Sequence, residues 1–364
     1  LKGETKIIAA NGGVAFDVCY APTKGYSEGV SVTIASDTVV ISGPVEYGIW
    51  GTSDSSRAEK AIFNVPYGYD VDLTVSSPVE SGGYYYWKAT SDNQMVFTLK
   101  ADSPIKVLQD NAVVSADGST VTLLRDTTSD EPIRIETPIT FDGNDKTITA
   151  EGNTLTVVAG ITEPVTIKNV DAAISTATTN PNLDSPINIM SQVVMENNQF
   201  DITDFNNGAG DTVAVILTAG AEGSTLRGTQ ITMGSADNPG VQGIAVYGNE
   251  VTISGSTITT TALQNEDKST GIYTVGVGDI TITDNTFDLA AGAGDTAGAV
   301  VAVSSDDDSK NTVNLDITKN TVTAAARGVY LVSDVTVTGD VAGNDFRAIS
   351  EESRIATAEG VEPN

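Results

Sequence analysis

The chain reads as an all-β protein, a parallel β-helix preceded by a small N-terminal β-sandwich-like domain. Three observations lead there: short strand motifs echo one another through residues 105–364, apolar and polar residues alternate in both regions, and no segment carries a capped helical period. Residues 1–104 hold both tryptophans, Trp50 and Trp87, and the run Tyr84-Tyr85-Tyr86-Trp87. Alternating stretches such as Val30-Ser31-Val32-Thr33-Ile34 and Val71-Asp72-Leu73-Thr74-Val75 predict half-buried strands. Gly and Ser clusters separate them at intervals that suit a sandwich.

From about residue 105 the texture changes to Thr, Val, Ile, Asn, Asp and Gly, with few aromatics. Ile280-Thr281-Ile282-Thr283-Asp284-Asn285-Thr286-Phe287 is echoed by Leu315-Asp316-Ile317-Thr318-Lys319-Asn320-Thr321-Val322. Further echoes start at Val165, Val194 and Val251. Between them lies a second strand pattern, at Val213–Ile216, Gly243–Val246, Gly271–Val275 and Gly328–Val332. The period is roughly 25–35 residues, the range of solenoids and propellers. Two or three short strands per turn with tight corners favour the solenoid, because propeller blades need four antiparallel strands joined by regular hairpins. Asn at the corners tolerates a left-handed backbone, and stacked Asn amides hydrogen-bond from coil to coil. Ile253, Ile282 and Ile317 are expected at equivalent inward positions, with the intervening Thr and Asp in water.

The alternation at 280–287, together with Gly-Ile-Ala-Val at 243–246, resembles the right-handed parallel β-helix repeats of the pectin-lyase-like superfamily. Val121–Asp126, Ile133-Arg134-Ile135, Ile139–Gly143 and Thr147-Ile148-Thr149 resemble the opening coils of such solenoids in prokaryotic surface proteins. The likeness spans roughly residues 105–350 and implies a right-handed coil. It implies no single function, since enzymes, adhesins and envelope structural proteins share this scaffold. Polygalacturonase-like members would imply a Gly-His-Gly and an Arg-Ile-Lys segment, and the chain has neither. Lyase-like members would imply calcium-binding carboxylates and a basic proton abstractor on the solenoid surface; Lys168, Arg227 and Lys319 are the basic residues in or beside the strand-corner motif.

Composition narrows the chemistry further. There are 48 acidic and 19 basic residues, a formal charge of −29, no histidine and one cysteine. Such charge repels phosphate backbones and anionic lipid, so neither nucleic-acid binding nor membrane insertion is expected. The lack of histidine removes the usual neutral-pH base and the commonest metal ligand. No enzymatic activity is expected. Acid-bearing loops carry the metal candidates: Asp211 and Asp295, each in a Gly-Ala-Gly-Asp-Thr segment, and the run Asp306, Asp307 and Asp308, whose oxygen donors suit calcium. Solubility and turn formation explain the same acids without a metal. The aromatic run at 84–87 suits either core packing or a glycan platform. Strand alternation puts Cys19 beside Asp17 on the polar face of Val14–Tyr20, which makes it the candidate for an intermolecular disulfide.

The combined expectation is an exported, extracellular structural protein of the cell surface. It would be a self-assembling homo-oligomer or homopolymer in a surface layer, sheath or filament, with the charged tail from Arg347 to Asn364 capping the β-helix. The alternatives are an adhesin or carbohydrate-binding module that reads a surface glycan, and a polysaccharide-active enzyme.

Overall fold

The computed structural model describes residues 103–108, 111–115, 118–176, 185–205, 212–234, 240–261, 268–276, 278–289, 297–303, 312–332 and 336–357, and the backbone of ten strands from Thr5–Ile8 to Gln94–Leu99. The chain divides into two compact units. One holds Leu1–Ser103 and Leu108–Gly118, the other Pro104–Val107 and Ser119–Asn364.

In the first unit, Val45–Ile49 pairs in parallel with Phe16–Tyr20 and antiparallel with Gln94–Leu99, which also pairs with Tyr69–Val71. A second sheet joins Val30–Thr33, Ala61–Val65, Tyr84–Lys88 and Val79–Ser81, the last two as an antiparallel pair. Cys19 stands opposite Gly48 in the register, and Trp87 opposite Phe63. The side chains of these strands lie outside the described residues.

The second unit is a parallel β-solenoid. A representative coil runs through Val251–Ser254, a tight corner, Thr257–Thr260, and then Lys268–Val275, before the next coil begins at Gly278–Thr283. Each strand pairs in parallel with its counterpart one coil on, so like positions stack in columns about 4.8 Å apart. On the first side the inward column reads Val121, Phe141, Ile167, Met195, Leu226, Ile253, Ile282 and Ile317. All eight are fully buried. The expected equivalence of Ile253, Ile282 and Ile317 is therefore what the register gives. On the second side Ala172, Phe200, Ile231, Ile258, Phe287 and Val322 stack in the same way. Alternation in β-branched strands produces this directly: one residue in two turns inward, and each large apolar side chain so buried contributes about 1.5–3 kcal/mol.

Nine strands stack on the third side among the described residues, from Ile133–Ile135 to Ile355–Thr357. Their inward column is Ile133, Leu155, Ile187, Val215, Ile244, Ile272, Val300, Val329 and Ile355. The residue before this column is small in five successive coils, Ala214, Gly243, Gly271, Ala299 and Gly328. The space explains it. A Cβ on Gly271 would stand 2.5 Å from the Phe287 ring, and one on Gly243 2.8 Å from Ile258.

The corners between the first two sides divide two roles between adjacent residues. The left-handed position is taken by Asn169, Asn197, Gly228, Gly255, Asp284, Lys319 and Gly343. The stacked polar side chain belongs to the next residue, because only that one turns inward. Asn285 N–H donates to Asn320 Oδ1 (2.9 Å), and Asn320 N–H donates to Asn344 Oδ1 (2.9 Å). Each amide also donates back to its neighbouring coil: Asn285 to Ile253 O (3.0 Å), Asn320 to Ile282 O (2.8 Å) and Asn344 to Ile317 O (2.7 Å). Ser256 accepts from Thr229 N–H at 3.2 Å and passes its own N–H to Asn285 Oδ1 at 2.9 Å. The ladder has one fault among the described residues: the buried Thr229 hydroxyl has no hydrogen-bond partner.

The tail adds structure of its own. Phe346 is buried against Gly328, Glu351–Arg354 forms one turn of helix, and Ile355–Thr357 pairs with Val329–Leu331 as the last rung of the third side.

Candidate functional site

The outer surface of the first side carries the basic residues that a lyase-like reading would need. Asp142, Lys168, Glu196 and Arg227 occupy one outward column on four successive coils, with alternating sign. Lys168 Nζ lies 3.1 Å from Asp142 Oδ2, and Arg227 Nη1 lies 3.6 Å from Glu196 Oε1. Burial alone would raise the Asp142 carboxyl, but hydrogen bonds from Asn169, from the Asn144 N–H and from Lys168, with the Lys168 charge, hold it below the usual carboxylate range. Further along, the column turns to hydroxyls, and Thr318 Oγ1 donates to Thr283 Oγ1 at 3.0 Å. Lys319 sits at a left-handed corner with φ of 56°. Exposed ion pairs of this kind contribute about 0–1 kcal/mol each. Their main effect is on register, since a slip by one coil would set like charges side by side.

The loop acids Asp211, Asp295, Asp306, Asp307 and Asp308 lie outside the described residues. Among the described residues no group of three or more carboxylate, thiol or imidazole side chains is gathered as metal ligands would be. The backbone of Cys19 is in the strand Phe16–Tyr20, and its side chain is outside the described residues, as are those of Tyr84–Trp87.

What the described residues do bring together lies at the end of the solenoid. At the first rung Val121, Leu123, Ile133 and Ile135 are fully buried, as is Ile105 in the segment Pro104–Val107 of the same unit. At the last rung Ile355 is 50% exposed, although it continues the column that Ile133 begins. Ala342 and Gly343 are exposed there too, and Ile355–Thr357 has a strand partner on one side only among the described residues. Asn344 is the last amide of the corner ladder.

Charged groups surround this end. Arg347 holds Asp345 through Nε–H to Oδ1 (2.8 Å), Nη2–H to Oδ2 (2.6 Å) and its backbone N–H (3.2 Å). These bonds pull the Asp345 carboxyl down to about 2 and raise the guanidinium in turn. The pair borders a shallow depression of ≈ 480 Å³ lined by Thr321, Val322, Thr323, Asp345, Arg347 and Ala348. Nearby, the Arg327 guanidinium lies 4.2 Å from the centre of the Tyr330 ring and donates to Ala297 O at 3.2 Å. Each of these charges is spent on a neighbour in the fold. The chemistry left over at this end is a β-strand edge with a half-buried isoleucine.

No family model, curated protein or solved structure matches the chain. The site is therefore read from its own residues. Sequence reasoning located the repeats but not Ile355, Asn344 or Arg347 as parts of one surface. Ile355-Ala356-Thr357 is too short to show a period, and the charges of Glu351, Glu352 and Arg354 drew the whole tail into the reading of a cap.

Proposed function

We propose that this protein is a non-enzymatic, self-assembling structural subunit of an extracellular surface layer, sheath or filament. The observation that carries the reading is a contrast within the solenoid: its corner amides and the Lys168–Asp142 and Arg227–Glu196 pairs link neighbouring coils, while its last rung leaves Ile355 half exposed beside an open strand edge. Open edges of this kind pair with other chains unless something blunts them. The finer reading of the fold, a right-handed coil like those of the pectin-lyase-like superfamily, belongs to the same proposal. Parallel strands of one sheet are joined by right-handed crossovers in nearly all proteins. Acidic surface chemistry, with net charge −29, suits a protein that stays dispersed until it meets its own assembly contacts.

Negative-stain microscopy and light scattering of native material test the proposal. Ordered polymers or defined oligomers are expected. A monodisperse monomer that is retained on polysaccharide columns and released by Trp87→Ala would instead support the carbohydrate-binding alternative. Release of reducing ends or unsaturated products from acidic glycans would overturn both.

A further inference from the structure

We infer that residues 350–357 form a strap that opens and closes over the rung Val329–Val332 in the single molecule, and that assembly at this end holds it shut. The second clause rests on the assembly reading above and gives that same end its control. The covered rung and its cover are unequal. Val329, Tyr330 and Leu331 are 2%, 8% and 7% exposed, as in the core. On them lies a strand of three residues, Ile355–Thr357, with Ile355 50% exposed and Ala356 and Thr357 half-buried. The first rung is an edge strand too, yet its Ile133 and Ile135 are fully buried.

The tail is firmly anchored only as far as Arg347. Phe346 is buried against Gly328, and Asp345 accepts three hydrogen bonds from Arg347. Beyond that point the chain runs through exposed Ala348, Ser350, Glu351 and Glu352. Glu351–Arg354 is a single helical turn with no buried residue, and Ser350 at its N-cap gives it no side-chain cap. A helix so short needs tertiary packing to persist. Among the described residues, the one side-chain hydrogen bond made by residues 350–357 joins Ser350 to Ser353, inside the strap itself. Arg354 Nε is buried without a hydrogen-bond partner, a cost that opening relieves because water then reaches it. Against this stand the main-chain pairing with Val329–Leu331 and the bond from Gly328 N–H to Ser353 O at 2.8 Å. A segment held in this way opens at lower cost than the coil beneath it. A second molecule on the outer edge adds main-chain bonds that only the closed strap accepts. Closing and assembly are then linked, and the open fraction weakens the apparent affinity in proportion.

The test uses the full chain in a Cys19→Ser background carrying Leu331→Cys and Thr357→Cys. These two positions are partners in the register, and neighbouring strands lie about 4.8 Å apart, within the Cα separation that a disulfide spans. Oxidising the dilute chain locks the strap shut, and the same chain reduced is the reference. Reduced and dilute, Ile355–Thr357 should exchange its amides at least about 100-fold faster than Gly298–Val303, and oxidation should close most of that gap. With the strap closed in about 2–20% of reduced molecules, the oxidised chain should assemble at about 5- to 50-fold lower concentration, read by light scattering. Slow exchange of Ile355–Thr357 in the dilute reduced chain, or a pair that does not link on oxidation, overturns the strap and leaves assembly standing. Fast exchange with equal assembly of the oxidised and reduced chains supports the opening and overturns its control of assembly. A chain that never assembles in either state overturns the assembly reading and the control together, and fast exchange in it still supports the opening.

Discussion

At the first rung of the solenoid Ile133 and Ile135 are wholly buried, whereas at the last rung Ile355, in the column that Ile133 begins, leaves half its surface in solvent. The two rungs are built from the same kind of residue in the same register. Each strand is the last of its sheet among the described residues, so what differs is how far the rest of the chain covers its apolar side chains. Repetition makes a solenoid stable in its middle, where every coil has two neighbours, and leaves its ends to be solved separately. Position along the stack, rather than residue type, therefore decides what a substitution costs.

The largest expected effect sets the middle against the open end. Ile282→Asp puts a carboxylate between two packed coils and should destabilise by at least about 4 kcal/mol, whereas the same change at Ile355 should cost about 1 kcal/mol or less in the monomer. Denaturant melts of the two variants check this. Equal losses would mean that the end is as enclosed as the middle.

A smaller contrast lies in the corner ladder. Asn320 accepts from Asn285 and donates to Ile282 O and Asn344, so Asn320→Ala strands several buried groups and should cost about 2–3 kcal/mol. Asn344→Ala, at the last corner and half-buried, should cost about 1 kcal/mol. Thr229→Val removes the unpartnered hydroxyl at nearly constant volume. It should raise the melting temperature by about 2–4 °C, the shift that about 1 kcal/mol produces in a unit of this size. A fall in melting temperature would show that the hydroxyl does have a partner.

The smallest effect is on pH dependence. Asp142 and Asp345 both sit below their ordinary value of 3.8, Asp345 at about 2. A depressed carboxyl adds stability above its unfolded value and loses it as pH falls through the folded one. Asp142→Asn should therefore lower the melting temperature slightly at pH 6 and leave it unchanged near pH 2. Asp345→Asn should show the same trend between about pH 4 and 2, and more weakly, because that pair is solvent-screened. A difference that persists at pH 2 would assign the effect to packing rather than charge.

Much of the solenoid was legible because its apolar column repeats: the echoes at Val165, Val194, Val251, Ile280 and Leu315 all fall on stacked strands of the first side. The coil that begins at Thr225 escaped notice. Ser224 stands where Val251, Ile280 and Leu315 stand in later coils, which breaks the apolar alternation at its start, and Leu226 replaces the isoleucine of those coils. The strand Gly298–Val303, apolar throughout, was also missed. Sequence pattern shows which residue types recur. It does not show which of two adjacent corner residues turns inward, because that depends on the left-handed φ of the first. The open end was least legible of all. Exposure of Ile355 is a property of the stack and leaves no trace in three residues.

The most direct measurement is amide hydrogen exchange of the full chain, followed at high and at low protein concentration. Ile133–Ile135 should exchange slowly at both. Ile355–Thr357 should exchange slowly when concentrated and quickly when dilute, as expected of an edge covered only by a second molecule. Slow exchange of Ile355–Thr357 at every dilution, or fast exchange at every concentration, would contradict the account.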